Sequence, residues 1–155
     1  MKKIVYLLAF LLVSLTSVGQ VVNFSGTWAL NKAKSTLNDQ FSMAPGKMIL
    51  VQNANDFAAE KHVTFQDQEF TTNDKFTLDG NECVNVGWMD SKKKSVCKWS
   101  EDSKSLTITS KLPIQDSGEM TIVEIYKIEG DNLKVEVTAS SSYGDMAETY
   151  LFDKQ

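Results

Sequence analysis

The chain has 155 residues with 16 basic and 20 acidic side chains, one histidine and a formal net charge of −4. This length predicts a single domain. The acidic balance argues against a nucleic-acid partner or an anionic membrane partner, since both attract basic proteins. The sequence contains no arginine. Only lysine can therefore bind a carboxylate or a phosphate here, and lysine does not form the bidentate pair that a guanidinium group forms.

The first 19 residues have the pattern of a secretion signal. Two lysines precede an apolar run over 4–13, and small residues over 17–19 form a cleavage site. The alternative is a retained membrane anchor, but the run is shorter than the roughly 20 residues that span a bilayer. We expect a signal peptide over 1–19 and a mature domain over 20–155 with 14 basic and 20 acidic residues, located in the periplasm or outside the cell. No cysteine near the cleavage site is available to carry a lipoprotein lipid.

Short strands and tight turns are predicted throughout the mature domain. Segments rich in Val, Ile, Thr, Tyr and Phe alternate with turn-forming Gly, Asn, Asp and Ser. In residues 133–139, apolar and polar side chains alternate strictly, which is typical of an antiparallel sheet with one buried face. The predicted strands are 25–31, 47–53, 57–66, 69–78, 81–88, 94–100, 104–111, 119–129, 132–141 and 146–153.

The connector after the first strand is the one place where helix is predicted. Over 32–46, Ser35 or Asn38 is a candidate cap for a turn or two of helix that ends before Pro45. Farther along the chain, Pro113 is predicted to end strand 104–111, because proline has no N–H to donate to a ladder.

Sequential short strands favour an antiparallel up-and-down meander. Closing the meander into a barrel of eight to ten strands removes its two exposed edges. An all-β barrel with at most a short helical turn is therefore the predicted fold. The alternative is a two-sheet sandwich, which the same turn spacing permits.

The run NFSGTWALN, with Gly26 and Trp28 at its centre, resembles the Gly-x-Trp first strand of lipocalins. In that family the tryptophan lies at the closed end of the barrel and packs against a basic residue of the last strand. Here the cation near the last strand is Lys154. The resemblance implies that Trp28 closes one end of the barrel and does not contact a ligand.

The layout also resembles the fatty-acid-binding proteins: GTWALN, FTLDGNECVNVGW and TYLFDKQ stand at comparable places. In that family an Arg-x-Tyr pair of the final strand holds the ligand carboxylate. The matching residues are Glu148 and Tyr150, or Tyr150 and Phe152, and neither pair offers an arginine. The connector 32–46 is also short for the two-helix lid of the family.

The resemblance implies an exported protein that binds an apolar or amphipathic small molecule inside its barrel. Tyr126, Tyr150 and Phe152, together with methionines, are the predicted pocket walls. No cofactor is expected. The alternative is a barrel filled with side chains that acts as a structural or protein-interaction module of the bacterial cell envelope.

Two cysteines, Cys83 and Cys97, flank a predicted turn near residue 90. Equal distances from the turn would set them opposite one another, so a cross-strand disulfide is one prediction for an exported chain. Closing that loop would stabilise the fold by roughly 3 kcal/mol. The other prediction is two buried free thiols, because cross-strand geometry is often unfavourable for a bond.

Few residues suggest catalysis or metal binding. His62 shares a strand face with Glu60 and Thr64, which predicts an exposed polar side chain without metal-ligand partners. A serine or cysteine nucleophile would lack an oriented base, so enzyme activity is not expected. The basic run Lys92–Lys94 is predicted to be a solvated hairpin tip.

Overall fold

A computed structural model describes residues 20–114 and 118–155; the predicted signal peptide over 1–19 lies outside the described residues. The described chain forms ten strands. In order they are β1 Gly26–Leu30, β2 Lys47–Gln52, β3 Asp56–Phe65, β4 Gln68–Thr77, β5 Glu82–Val86, β6 Lys92–Trp99, β7 Ser105–Ile114, β8 Gly118–Glu129, β9 Asn132–Ser141 and β10 Gly144–Lys154. Two short 3-10 turns, Lys32–Lys34 and Trp88–Asp90, accompany them.

The strands form one antiparallel sheet in the order β4-β3-β2-β1-β10-β9-β8-β7-β6-β5. Every pairing joins neighbours along the chain except that of β1 with β10, in which Trp28 lies opposite Lys154. This pairing curls the meander into a nearly closed barrel. The predicted all-β up-and-down barrel is confirmed, and the two-sheet sandwich is excluded because all ten strands belong to one sheet.

The barrel has a seam between β4 and β5, which share no backbone ladder. The Asn85 side chain bridges it: its amide oxygen accepts from the Lys75 N–H at 2.9 Å and its amide nitrogen donates to the Lys75 carbonyl at 3.0 Å. One side-chain amide thus replaces a pair of ladder hydrogen bonds. A cleft of about 290 Å³ lies along the seam beside Phe76 and Cys83.

Two local predictions need correction. The helical turn lies within the predicted connector, but its N-cap is Asn31, which accepts from the Lys34 N–H at 3.2 Å, and not Ser35 or Asn38; Ser35 is the C-cap of the turn. Strand β7 does not end before Pro113 but continues through it. Pairing with β6 stops at Lys111, so the missing N–H of Pro113 faces no partner on that side. None of the helices in the described ranges is long and apolar enough to cross a membrane.

One end of the barrel, here called the floor, is closed by aromatic side chains. The segment before β1 crosses this end and places Phe24 inside, completely buried. Its ring stacks on Trp99 at 5.8 Å and meets Phe57 and Tyr126 edge-on at 6.4 and 6.2 Å. Gln52 holds the segment in place, accepting from the Phe24 N–H at 3.0 Å. The floor is therefore packed side chain and contains no room for a ligand.

Trp28 lies in the floor beside Phe24. Its ring N–H donates to the Phe24 carbonyl at 3.0 Å, and the Lys154 ammonium lies 5.5 Å from its ring centre. Gly26 has a φ of +146°, and a Cβ there would lie 3.3 Å from the Lys154 side chain. The position therefore favours glycine on both grounds. Trp28 is a buried floor residue, and Lys154 does pack against it as a cation–π partner.

Replacing Trp28 with alanine should destabilise the protein by about 3–5 kcal/mol, because the change leaves a large cavity in the floor. Trp88, which is 58 % exposed, offers the matched change, and Trp88→Ala should cost less than about 0.5 kcal/mol. Urea unfolding of both variants measures the difference. Equal losses of stability would contradict the role of Trp28.

Candidate functional site

Burial of the inward-facing side chains decreases from the floor towards the opposite end, here called the mouth. On β8, Tyr126 is fully buried whereas Ile122 and Met120 are only partly buried. On β9, Val137 is buried but Ala139, one step nearer the mouth, is partly exposed. The interior, here called the cup, is thus packed at the floor and more accessible to solvent at the mouth.

The wall of the cup near the mouth is apolar. The inward-facing side chains that line it are Val63, Leu112, Ile114, Met120, Ile122, Ala139 and Met146. Exposed or half-exposed aromatic rings continue this wall at the rim: Phe41 meets Phe65 edge-on at 5.6 Å, and Phe70 lies 6.5 Å from Trp88. This apolar wall belongs to β3, β7, β8, β9 and β10, whereas on the seam side the interior faces Lys93 and Asp74.

Charged and hydroxyl side chains form a polar layer between this wall and the floor. Lys61 of β3 forms an ion pair across the interior with Glu124 of β8, and each side chain is less than 15 % exposed. Burial lowers the pKa of Lys61, but the negative charge of Glu124 outweighs it, so the net pKa is raised and the ammonium keeps its proton. The Tyr126 hydroxyl donates to the same carboxylate at 3.2 Å.

A second ion pair lies in the polar layer near the seam. The Lys93 ammonium donates to Asp74 at 2.7 Å, and Asp74 is 2 % exposed. The hydroxyls of Ser95 and Ser110 lie 2.8 Å apart, both buried. This corrects the prediction of a solvated tip over Lys92–Lys94 in part: Lys92 and Lys94 are exposed, but the three residues begin β6, and the alternation that buries Ser95 turns Lys93 inward.

Glu148 completes the polar layer. It is 3 % exposed, accepts the Asn38 N–H at 2.7 Å and accepts the Tyr150 hydroxyl at 2.6 Å. Burial is the larger cause that raises the pKa of Tyr150, and the hydrogen bond to Glu148 is the next, so the phenol stays protonated and donates. Glu148 and Glu124 both lie opposite Val137 on β9, so the two carboxylates face the same interior two strands apart.

All three predicted ligand-binding residues lie inside the barrel. Tyr126 and Phe152 are fully buried at the level of the floor, and Tyr150, 5 % exposed, contacts Phe152 edge-on at 6.3 Å. Their role in binding a ligand stays a prediction. Of the two alternative matches on the final strand, Glu148 and Tyr150 are the pair joined by a hydrogen bond.

Sequence reasoning missed five charged residues of the polar layer: Lys61, Asp74, Lys93, Glu124 and Glu148. It assigned acidic residues mainly to turns. The alternation of the strand could have identified them, because side chains two positions apart point to the same face of a strand. Lys61 lies two positions from buried Ala59 and two from buried Val63. Charged residues in phase with a buried face point into the barrel.

The two cysteines are free thiols in the structure, so the disulfide alternative is not formed there. They do not lie directly opposite one another: Cys83 lies opposite Ser95, which sets Cys97 two positions along the partner strand. Cys97 is fully buried and Cys83 half-buried. The Cys83 sulfur instead accepts the Thr77 N–H across the seam at 3.2 Å.

His62 lies on the outer face, as predicted, and contacts Glu60 at 2.6 Å with a third of its side chain exposed. Within residues 20–114 and 118–155, no three His, Cys, Asp or Glu side chains gather as metal ligands would.

No protein-family model matches the chain, and no curated protein matches it. Solved structures do. They include a secretory abundant heat soluble protein from Ramazzottius varieornatus, with TM-score 0.62 and 15 % identity over 85 % of this chain and 95 % of that one. Another is the zebrafish ileal bile acid-binding protein in complex with cholic acid, with TM-score 0.60 and 18 % identity over 85 % of this chain and 98 % of that one. The chain therefore shares the antiparallel β-barrel fold of these proteins. A protein described as the REP1-NXSQ fatty acid transporter has the same fold, with TM-score 0.56 and 15 % identity over 84 % of this chain and 95 % of that one.

The buried thiol of Cys97 should make stability fall in alkaline solution. Burial raises its pKa from 9.0 to about 12, so above pH 9 the unfolded chain releases a proton that the folded chain keeps. The free energy of unfolding then falls by up to about 1.4 kcal/mol per pH unit. Urea unfolding at pH 8 to 11 should show this component in the wild type and in Cys83→Ala.

In Cys97→Ala that component should be absent, while the contribution of the tyrosines stays common to all three proteins. A Cys97→Ala profile that parallels the wild type would show that this thiol does not control the alkaline loss.

Proposed function

We propose that this chain is an exported binding protein that holds an apolar or amphipathic molecule in its barrel. The observation that carries the proposal is the decrease in burial from the floor to the mouth. Ligand sites are typically concave and apolar with a few polar groups that fix orientation. The cup has this composition, with hydrocarbon at the mouth and a polar layer beneath it.

The comparisons support binding over catalysis. Among proteins with this fold, one is described as a fatty acid transporter and another was solved with cholic acid bound. Fold likeness at such low identity is a weak warrant for function. The interior of this chain supplies the further support, because a solid barrel would not need two ion pairs at mid-height.

Filling the cup should abolish binding. Ala139 faces the interior near the mouth, so Ala139→Trp places an indole where a ligand would lie. A neutral fluorescent probe, N-phenyl-1-naphthylamine, should bind the mature protein and bind Ala139→Trp at least about tenfold more weakly. Ala147 is exposed on the outer face of β10, so Ala147→Trp is the matched control and should bind like the wild type.

Circular dichroism would show whether both variants keep the β-sheet spectrum. If the wild type binds no probe, the ligand-binding proposal fails. The alternative, a protein-interaction module, would then be favoured, and the exposed rim residues Phe41, Phe70 and Trp88 would be its contact surface.

Export is the second part of the proposal, supported by the leader pattern over 1–19. When the full chain is expressed in a Gram-negative bacterium, the periplasmic fraction should contain a protein whose intact mass begins at Gln20. Gly19→Leu removes the small residue before the cut and should block processing. Val18→Leu changes the position between the two small residues and should be processed normally. An unprocessed cytoplasmic chain would overturn this part of the proposal.

A further inference from the structure

We propose that the ligand of this barrel carries a protonated amine, whose ammonium binds beside Glu148 in the polar layer. The inference rests on the proposed function and names the class of molecule that the cup selects. A chain that ends in a carboxylate is bound less well. This preference follows from which charged side chains of the interior already have a partner of opposite charge.

The two interior lysines are occupied. Lys61 is paired with Glu124 and Lys93 with Asp74, all four side chains being at most 15 % exposed. A ligand carboxylate that bound at either ammonium would add a second negative charge to a buried pair that is already neutral. One of the two carboxylates would then lie buried without a cation of its own, which is strongly unfavourable. The interior therefore offers no free positive charge to an anion.

Glu148 is the opposite case. Its two hydrogen-bond donors, the Asn38 N–H and the Tyr150 hydroxyl, are neutral groups. None of the ion pairs within the described ranges includes Glu148. The buried charged groups of the polar layer are thus three carboxylates and two lysines, which leaves Glu148 without a cation. A third lysine on the inner face, Lys154, lies over Trp28 at the floor.

An ammonium group has the chemistry to fill this position. A carboxylate has about four lone-pair sites, of which two remain at Glu148, and an ammonium carries three N–H donors. A charge-assisted hydrogen bond in a buried site is roughly twice as strong as a neutral one. A hydroxyl head group would donate one hydrogen bond to the carboxylate but bring no compensating positive charge, and a carboxylate head group would be repelled.

The position of Glu148 also sets the direction of the ligand. The floor beneath the polar layer is packed by Phe24, Tyr126 and Phe152, each fully buried. The partly exposed wall above it, including Ile122 and Met146, leads to the mouth. The head group therefore points down into the polar layer, and the hydrocarbon chain extends towards the mouth.

The experiment compares three displacers of one chain length against N-phenyl-1-naphthylamine on the mature protein at pH 7. Dodecylamine, dodecanol and dodecanoic acid are used below their micelle concentrations. Dodecylamine should displace the probe at a concentration at least about tenfold lower than dodecanoic acid, with dodecanol between them. Equal or better displacement by the acid would overturn the inference and leave the proposed function intact, since the probe would still bind.

Glu148→Gln tests the residue itself, because it removes the charge, keeps one oxygen to accept the Asn38 N–H and places an amide N–H that can donate to the Tyr150 hydroxyl. It should weaken dodecylamine about tenfold and leave dodecanol within about twofold. Glu101→Gln removes the same charge from an exposed turn at the floor end and should leave all three displacers unchanged. If Glu148→Gln weakens all three equally, Glu148 acts only by holding the connector, and the inference fails.

Discussion

The pairing of the first strand with the last is the constraint on which the rest of the structure depends. Without it, the other ladders in the described chain would form two separate meanders, β1 to β4 and β5 to β10, because β4 and β5 share no ladder. The β1–β10 ladder brings Lys154 over Trp28, and together they give the floor its side wall. Only a closed sheet has an inside, and only an inside allows Phe24 to be buried from every direction. The amphipathic interior is a consequence of that closure.

The interior combines an apolar floor with a polar layer, and the two contribute differently to the free energy of folding. Aromatic packing in the floor stabilises the fold through apolar burial and edge-on ring contacts. Ion pairs at mid-height contribute little net stability, because removing both charges from water costs about as much as their attraction returns. An uncompensated carboxylate such as Glu148 is worse than neutral for stability. Groups of this kind are commonly retained where function needs them, at the expense of the stability of the fold.

The number of strands, their order and the barrel could be predicted from the sequence, because alternation and turn residues are local signals and each hairpin of an antiparallel meander is local. The polar layer could not be predicted in this way. Asp74 belongs to a pair of residues, Asn73 and Asp74, that is typical of a turn, yet it lies mid-strand, because pairing with Ala59 on β3 overrides the local preference. The partnership of Lys61 with Glu124 depends on barrel curvature across strands that share no ladder, which no local pattern encodes. The two cysteines are offset because the hairpin is centred on Met89 and not on residue 90, a shift of one residue that local turn signals do not resolve.

Both ends of the described chain lie at the floor. The segment from Gln20 leads directly to Phe24, and the last residue donates its N–H to Thr27 at 2.9 Å. A tether, an affinity tag or a fused domain at either terminus would thus extend from the closed base of the cup. Immobilised through its termini, the barrel would present the mouth outward, with the rim aromatics facing solution. The geometry suits capture experiments in which the bound molecule must enter and leave while the protein is held on a surface.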